Sequence, residues 1–443
     1  MRLLLLVGRV LSAPLFLVLC LAAVPSCAHL VQVIQLSRHG DRAPITMLPK
    51  VLDDPSVWPL GLGQLTGRGM WQTWQLGLQR RSRYIDSGFL RAEYSYQEVF
   101  ARSTDVDRCL MSAQSQLFGM FPPGTGPQNQ VNPLNSIPDR FQPIPIHTML
   151  IHDDFLLRPF SNCPEYLRLR SDVVEKSELW QEKEKENGDF IKFIGDMFGY
   201  PDNTLRQTGW IYDTVFASHV HGMPLPPPLL EDDNLDRLIE LGNWVLGQDF
   251  ASPTVLPYLA TPFLQEVKRR FQEAAGLQQP TSQVFKFILF AAHDTTVMPA
   301  AVALEAISPS IPPYAAHLDV ELHAVDTRTP ESFYVRIFYN DTLIQPSFCG
   351  TADCPLSDFL SFVDTFSLPN WQQACGTTSP DEPNPAATHL TTLNLVLIAV
   401  ASVLLAAWIV LATVFWARKC AIKRQLRAAS YGHLQEVAGD SNL

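Results

Sequence analysis

Charge is scarce in this chain of 443 residues: 17% is Asp, Glu, Lys or Arg, and 33 basic residues face 44 acidic ones. A surface of that kind lacks the broad Lys/Arg coverage that neutralises phosphates along a nucleic acid, which excludes nucleic acid as the main partner. No repeat period runs through the sequence, so a solenoid is excluded, and a hydrophobic content of 47% is too high for a disordered chain. The G-x-S-x-G elbow of serine hydrolases is missing, as are the CxxC and HxxxH pairs that commonly hold zinc.

Long apolar runs occur only near the two ends. Arg2 and Arg9, the run Val10 to Val24 and the small residues Ser26 and Ala28 have the layout of a secretory signal peptide over residues 1–28. The second run, Leu393 to Trp416, has 24 residues and no charge, enough to span a hydrocarbon core as a helix. Arg418, Lys419, Lys423, Arg424 and Arg427 follow at once, so the positive-inside bias places residues 417–443 in the cytosol. A single-pass membrane protein is expected, its main domain lumenal or extracellular, in the lysosomal or plasma membrane. Residues 377–392, with three prolines, read as a stalk.

The region His29 to His389 holds 26 basic and 42 acidic residues, a net charge of −16, so any anion site there is a local concentration of arginine. The same region carries Cys109, Cys163, Cys349, Cys354 and Cys375, an odd number for an oxidising compartment. Asn340-Asp341-Thr342 is a candidate glycosylation site.

Leu30–Leu36, Gln97–Ala101 and Val284–Phe290 read as strands, each followed by a helical pattern. Thr66 is placed to cap a helix to about Arg81, Ser103 or Thr104 one to Leu117, and Thr295 or Thr296 one to Ala306. That alternation predicts an α/β domain with a largely parallel sheet. Residues 132–250 are richer in proline, charge and helical pattern and read as a mostly helical insertion. Leu318–Ala324 and Ser332–Tyr339 add two candidate strands.

Three segments carry chemistry: Arg38-His39-Gly40-Asp41-Arg42-Ala43-Pro44, Arg102-Ser103-Thr104-Asp105-Val106-Asp107-Arg108 and His293-Asp294-Thr295-Thr296. Each lies where a strand hands over to a helix, and ligands of open α/β sheets bind beyond the carboxyl ends of strands. Arg38, Arg42 and Arg102 offer planar charged forks for phosphate oxygens, His39 and His293 two imidazoles, and Asp294 a carboxyl group. Gly40 is read as clearing space for a bulky oxyanion. A metal site built on His39, Asp41, His293 and Asp294 is the competing reading, disfavoured because three arginines would repel a divalent cation. Arg108 and Asp105 are read as a pair within the second helix and left out of the site. Asp41 is given a supporting role. His147, His152, His219, His221 and His317 are read as surface or core histidines, and Trp71 and Trp74 as packing.

RHGDRAP, RSTDVDR and HDTT, in this order and spacing, resemble the histidine acid phosphatase family over nearly all of Leu30 to Cys375. In joining a membrane span to a short tail, the chain is similar to the membrane-anchored members of that family. The resemblance implies a phosphoglycerate-mutase-like α/β fold, an open sheet flanked by helices, with a smaller mostly helical cap at about 132–250 inside a catalytic domain of residues 29–376. It implies that His39 is a nucleophile forming a phosphohistidine and that Asp294 is the general acid and base. Arg38, Arg42, Arg102 and His293 would hold the phosphoryl oxygens, with no metal or organic cofactor required. The disulfides it implies are Cys163–Cys375 and Cys349–Cys354, leaving Cys109 free. A third family bridge is missing, its places taken by Ala217 and about Ala316. A homodimer is implied as well. The substrates expected are phosphomonoesters, phosphotyrosine among the candidates. The readings set beside this one are an inositol-polyphosphate phosphatase and a membrane binding protein with a vestigial site.

Overall fold

The computed structural model describes residues 28–377, apart from 51–53, 133, 135, 201, 327 and 328, and residues 397–419 apart from 398. Of the segments expected at the two ends, the signal peptide (1–28) lies outside the described residues up to residue 27, the stalk (377–392) from residue 378, and the tail (417–443) beyond Lys419. The chain divides into two units, Met1–Thr377 and Thr378–Leu443.

The first unit is built on a seven-stranded sheet: β1 (His29–Arg38), β2 (Val99–Ser103), β3 (Phe287–Ala292), β4 (His317–Ala324), β5 (Phe333–Tyr339), β6 (Thr342–Ile344) and β7 (Cys354–Pro355). Their order is β2-β3-β1-β4-β5-β6, with β7 also paired to β5. β1, β2 and β3 run parallel, whereas β4 to β7 pair antiparallel. The sheet is thus mixed, a correction to the largely parallel one expected. The reason is the length of the late connections: β5 turns into β6 through Asn340 and Asp341 alone, both at positive φ (46° and 63°). A link that short joins only antiparallel strands, since a parallel crossover needs a dozen residues or more. The sequon residue Asn340 is exposed on this turn, its Oδ1 accepting from His317 N at 3.0 Å.

Alternation along β1 feeds two cores. Val33 packs on one face with Leu289, Ala291 and the α2 (Asp107–Met120) residues Ala113 and Leu117, and α1 (Gly67–Arg80) lies against α2. Ile34 and Leu36 pack on the other face with Phe290 and the helices that follow. Those helices are α3 (Pro164–Leu169), α4 (Glu178–Glu186), α5 (Gly188–Phe198), α6 (Leu205–Val220), α7 (Asn234–Ala251), α8 (Leu256–Ala274) and α9 (Asp294–Ala303), with α10 (Leu356–Phe366) and α11 (Trp371–Ala374) closing the unit. α1 and α2 approach so closely that a Cβ on Gly77 would lie 2.1 Å from Gln116 O, and one on Gly119 2.4 Å from Trp74 O.

Thr66 caps α1 through Gly69 N, as expected. The other two caps differ. Ser103 ends β2 and Thr104 turns its hydroxyl to His293, so α2 starts three residues later, after Val106. Thr296 donates to Leu157 O at 2.7 Å instead of capping, and α9 begins at Asp294, with His293 at the N-cap.

Disulfides join Cys163 to Cys375 and Cys349 to Cys354, and Cys109 is free and buried. In the second unit an exposed apolar helix runs Ala399–Lys419, long enough to cross a membrane. It continues past the Trp416 expected as far as Lys419, the last described residue.

Candidate active site

The register of the three parallel strands sets the site. Arg38 lies opposite Ala292 and Ser103 opposite Ala291, so the chain leaves β1, β2 and β3 at one edge. His39 N donates to Ala292 O and Thr104 N to Ala291 O, which holds the three exits together. The loop entering β4 closes the fourth side, with Ala315 N donating to His39 O. Segments more than 250 residues apart thereby meet at one place, on the strand ends where open sheets bind ligands.

His39 is buried, 2% exposed, with its ring 5.6 Å from that of His293 and 6.0 Å from that of Tyr314, centroid to centroid. Its Nδ1 lies 2.8 Å from Gly40 O. A carbonyl oxygen only accepts, so the neutral ring carries its proton on Nδ1 and leaves the Nε2 lone pair free. Burial, then the charges of Arg108, Arg38, Arg42 and His293, hold the His39 pKa well below the ordinary histidine value. This imidazole therefore remains unprotonated in mild acid.

Guanidinium groups surround it. Arg38 ion-pairs with Asp294 (2.7 Å), donates to Pro312 O and lies over the Tyr314 ring at 4.3 Å. Arg42 forks onto Asp213 of α6, its Nη1 and Nη2 donating at 3.2 and 2.7 Å. Arg108 donates to Gly63 O and to His293 Nδ1, both at 3.3 Å, and His293 Nε2 then donates to Thr104 Oγ1 at 3.1 Å. Arg38 and Arg42 have carboxylate partners; the Arg108 bonds here go to a carbonyl and a ring nitrogen. Among the described residues, the buried Nε atoms of Arg38, Arg42 and Arg108 have no hydrogen-bond partner, donors that an oxyanion would satisfy.

Arg102 is not among these groups. Along β2 its side chain shares a face with Phe100, away from Ala101 and Ser103, and it pairs with buried Asp154 at 2.5 Å. The guanidinium that the second segment turns toward the imidazoles is Arg108, which sequence reasoning had assigned to a pair with Asp105. That pair fails because α2 begins only at Asp107, so Asp105 is not on the helix. The signal for Arg108 was its place in the first helical turn, directly after a strand exit.

Asp294 heads α9, where the helix N-terminus favours a carboxylate, and accepts from Thr295 N at 2.7 Å. Burial alone would push its carboxyl up, but Arg38, Arg42 and His293 together hold it below the ordinary carboxylate range. Gly40 serves packing, not anion access: a Cβ there would lie 2.2 Å from Gly69 O of α1. Asp41 does not join the set of possible metal ligands. It accepts from His221 Nε2 at 2.6 Å and from the Thr66 hydroxyl, and so ties the loop to α1 and to the end of α6. His221, read as a bystander, thus touches the loop, as does Asp213; nothing in the local sequence of α6 marks either. Cys109 Sγ lies 3.7 Å from the His293 ring nitrogens, its thiol pushed up to about 11 by burial and so protonated. Trp71 is 58% exposed, not packed, and with Trp74 and Phe118 lines a groove of about 660 Å³ that none of these site residues enters.

Among solved structures, the first unit resembles the Citrobacter braakii phytase (TM-score 0.58, 16% identity, 78% of this chain and 99% of that one) and the Hafnia alvei phytase in complex with tartrate (0.56, 18%, 79% and 98%), a likeness of fold alone. Human lysosomal acid phosphatase is 36% identical over 358 residues, 77% of this chain and 79% of that protein. Bovine prostatic acid phosphatase is 34% identical over 388 residues, 84% and 95%. Residues 29–340 match the family described as histidine phosphatase superfamily (branch 2). With the two imidazoles, the guanidinium cluster and the acid at the strand ends, the match establishes that this chain belongs to the histidine phosphatase superfamily, branch 2.

Proposed function

We propose that the chain is an acid phosphatase that hydrolyses phosphomonoesters through a covalent phosphohistidine at His39. The observation that carries this reading is a buried imidazole, its Nδ1 bonded to Gly40 O, set among Arg38, Arg42 and Arg108, whose charges together with burial lower its pKa. The His39 Nε2 lone pair attacks phosphorus, the bond to the ester oxygen breaks, and Asp294 gives that oxygen its proton. Water then attacks the phosphohistidine, passing a proton to Asp294, and phosphate leaves with Nε2 restored. Arg38, Arg42, Arg108 and His293 stabilise the equatorial oxygens as charge shifts onto them. Arg108 takes the part that sequence reading gave to Arg102.

Asp294 must hold a proton in the enzyme–substrate complex. In the free protein the guanidinium groups keep it ionised. A bound phosphate compensates those charges, leaving burial to raise the carboxyl again, and mild acid then loads it. Working at acidic pH follows from this exchange, and phosphotyrosine is a suitable substrate because its aryl oxygen departs easily.

The apolar Ala399–Lys419 helix supports membrane attachment. With the basic residues after Trp416 it supports an orientation in which the catalytic unit lies outside the cytosol, in lysosomal or plasma membrane. Exposed Asn340 is then available for glycosylation, and we carry the homodimer forward as part of the same proposal.

The decisive experiment is a brief pulse of labelled aryl phosphate at acidic pH, quenched in alkali and in acid. An acid-labile, alkali-stable phosphoprotein is expected from the native protein and none from His39→Ala, which should also lose turnover. Unchanged turnover by His39→Ala would exclude this nucleophile.

A further inference from the structure

The phosphate site is layered by charge. Arg38 and Arg42 lie at the back with side chains 6% and 4% exposed, and the carboxylates paired with them, Asp294 and Asp213, lie in front at 24% and 25%. Asp294 is used in the reaction. Asp213 is not, yet it engages both terminal nitrogens of Arg42 in a fork, the strongest geometry available to that pair. α6 holds it there from two directions, since the residue that ends the helix, His221, is bonded to Asp41 of the same catalytic loop and packed against Trp58. Asp213 is therefore a carboxylate held in place on Arg42 beside the phosphate site, with a quarter of its side chain open to solvent.

We propose that Asp213 is a specificity-determining residue that restricts the site to esters of neutral alcohols and phenols by repelling leaving groups with further phosphates on the α6 side. This rests on the phosphatase reading above and narrows it to a substrate class. A substrate with one phosphate brings its charge to Arg38, Arg42 and Arg108 and presents an uncharged remainder to Asp213. A polyphosphorylated alcohol places additional dianions against a carboxylate whose own cation is already committed. Arg158, held by Ser161 at 3.3 Å, is a further guanidinium acting on His293, and one such group cannot balance several phosphates. The fold is shared with phytases, so the backbone does not forbid a polyphosphate; the charge at the opening does.

The test compares kcat/KM for para-nitrophenyl phosphate and for inositol hexakisphosphate, at fixed pH and ionic strength, in native protein, Asp213→Asn and Asp213→Glu. Asp213→Asn keeps an acceptor for Arg42 and removes the charge, and it is expected to raise the ratio of polyphosphate to aryl phosphate by about tenfold, the scale of one removed like charge at a close contact. Asp213→Glu keeps the charge and alters the geometry, and its ratio should remain within about twofold of native even where both rates fall. A ratio unmoved in Asp213→Asn, or moved equally in Asp213→Glu, overturns the proposal while leaving the phosphatase reading intact. An equal gain for both substrates in Asp213→Asn also overturns it, because the carboxylate would then merely compete for Arg42. Native protein that turns over neither substrate sinks the phosphatase reading and this inference together.

Discussion

Two arginines in one seven-residue stretch have opposite fates. Arg108 bonds to His293 and the Gly63 carbonyl and to no carboxylate among the described residues, whereas Arg102 is bound to an aspartate that is 0% exposed. Arg108→Ala is expected to lower kcat/KM for an aryl phosphate by about 10²–10³-fold, the usual loss for one transition-state donor. Arg102→Ala should change kcat/KM far less, and reduce unfolding free energy by about 3–5 kcal/mol because Asp154 is left buried and unpaired. Steady-state kinetics and urea titration separate the two. Asp294 gives a second expectation. Its carboxyl is held low in the free protein by Arg38, Arg42 and His293 and is released from that hold when phosphate cancels their charge. The loss of kcat with rising pH should therefore occur at higher pH than the loss of kcat/KM, once the ionisation of the substrate is allowed for, and Asp294→Asn should remove it from the kcat profile. At this scale the sequence identified His39, Arg38, Arg42, His293 and Asp294 as chemistry-bearing, and the structure gathers all five. It misplaced the third arginine because strand alternation and the first turn of a helix had to be phased to within one residue.

At the scale of elements, strands were more legible than caps. Five strands were visible: β1, β3 and β4 as apolar runs buried on both faces, and β2 and β5 by alternation of buried and half-buried residues. Apart from the Thr66 cap of α1, helix starts were not, since Ser103, Thr104 and Thr296 have hydroxyls that suit a cap and other partners that claim them. The antiparallel half of the sheet was hidden in connection lengths. The closeness of α1 to α2 was equally invisible, although it fixes where the catalytic loop sits. Gly119→Ala ought to gain up to about 1 kcal/mol from helix propensity. The overlap with Trp74 O reverses that sign, and a net loss of about 1–3 kcal/mol is expected. Thermal unfolding reads it directly; an unchanged or higher Tm would show that the two helices can separate without cost.

For the whole molecule, keeping two imidazoles neutral has a consequence for stability. His39 and His293 both have pKa values held well below the ordinary one, first by burial and then by Arg108. Below an ordinary histidine pKa of about 6.5 the unfolded chain binds protons that the native protein refuses, so stability falls as pH falls toward the native values. Each histidine contributes up to about 1.4 kcal/mol per pH unit in that window. The native protein should therefore lose Tm between pH 6.5 and 5, and His39→Gln should lose less over the same interval; parallel slopes would contradict it. The enzyme works where this part of its fold is weakest.

β1 is the first strand made and the centre of the sheet, yet its parallel neighbour begins at Phe287, with Val33 paired to a residue 254 positions later. At a synthesis rate of about 5–20 residues per second, the nascent strand waits roughly 10–50 s for that neighbour. During the wait, HLVQVIQL is an unpaired sticky ribbon at the leading end of the growing polypeptide. A translation product that stops before β3 lacks the Ala292 carbonyl that holds His39, and birth of this protein should depend heavily on chaperones that shield its first strand.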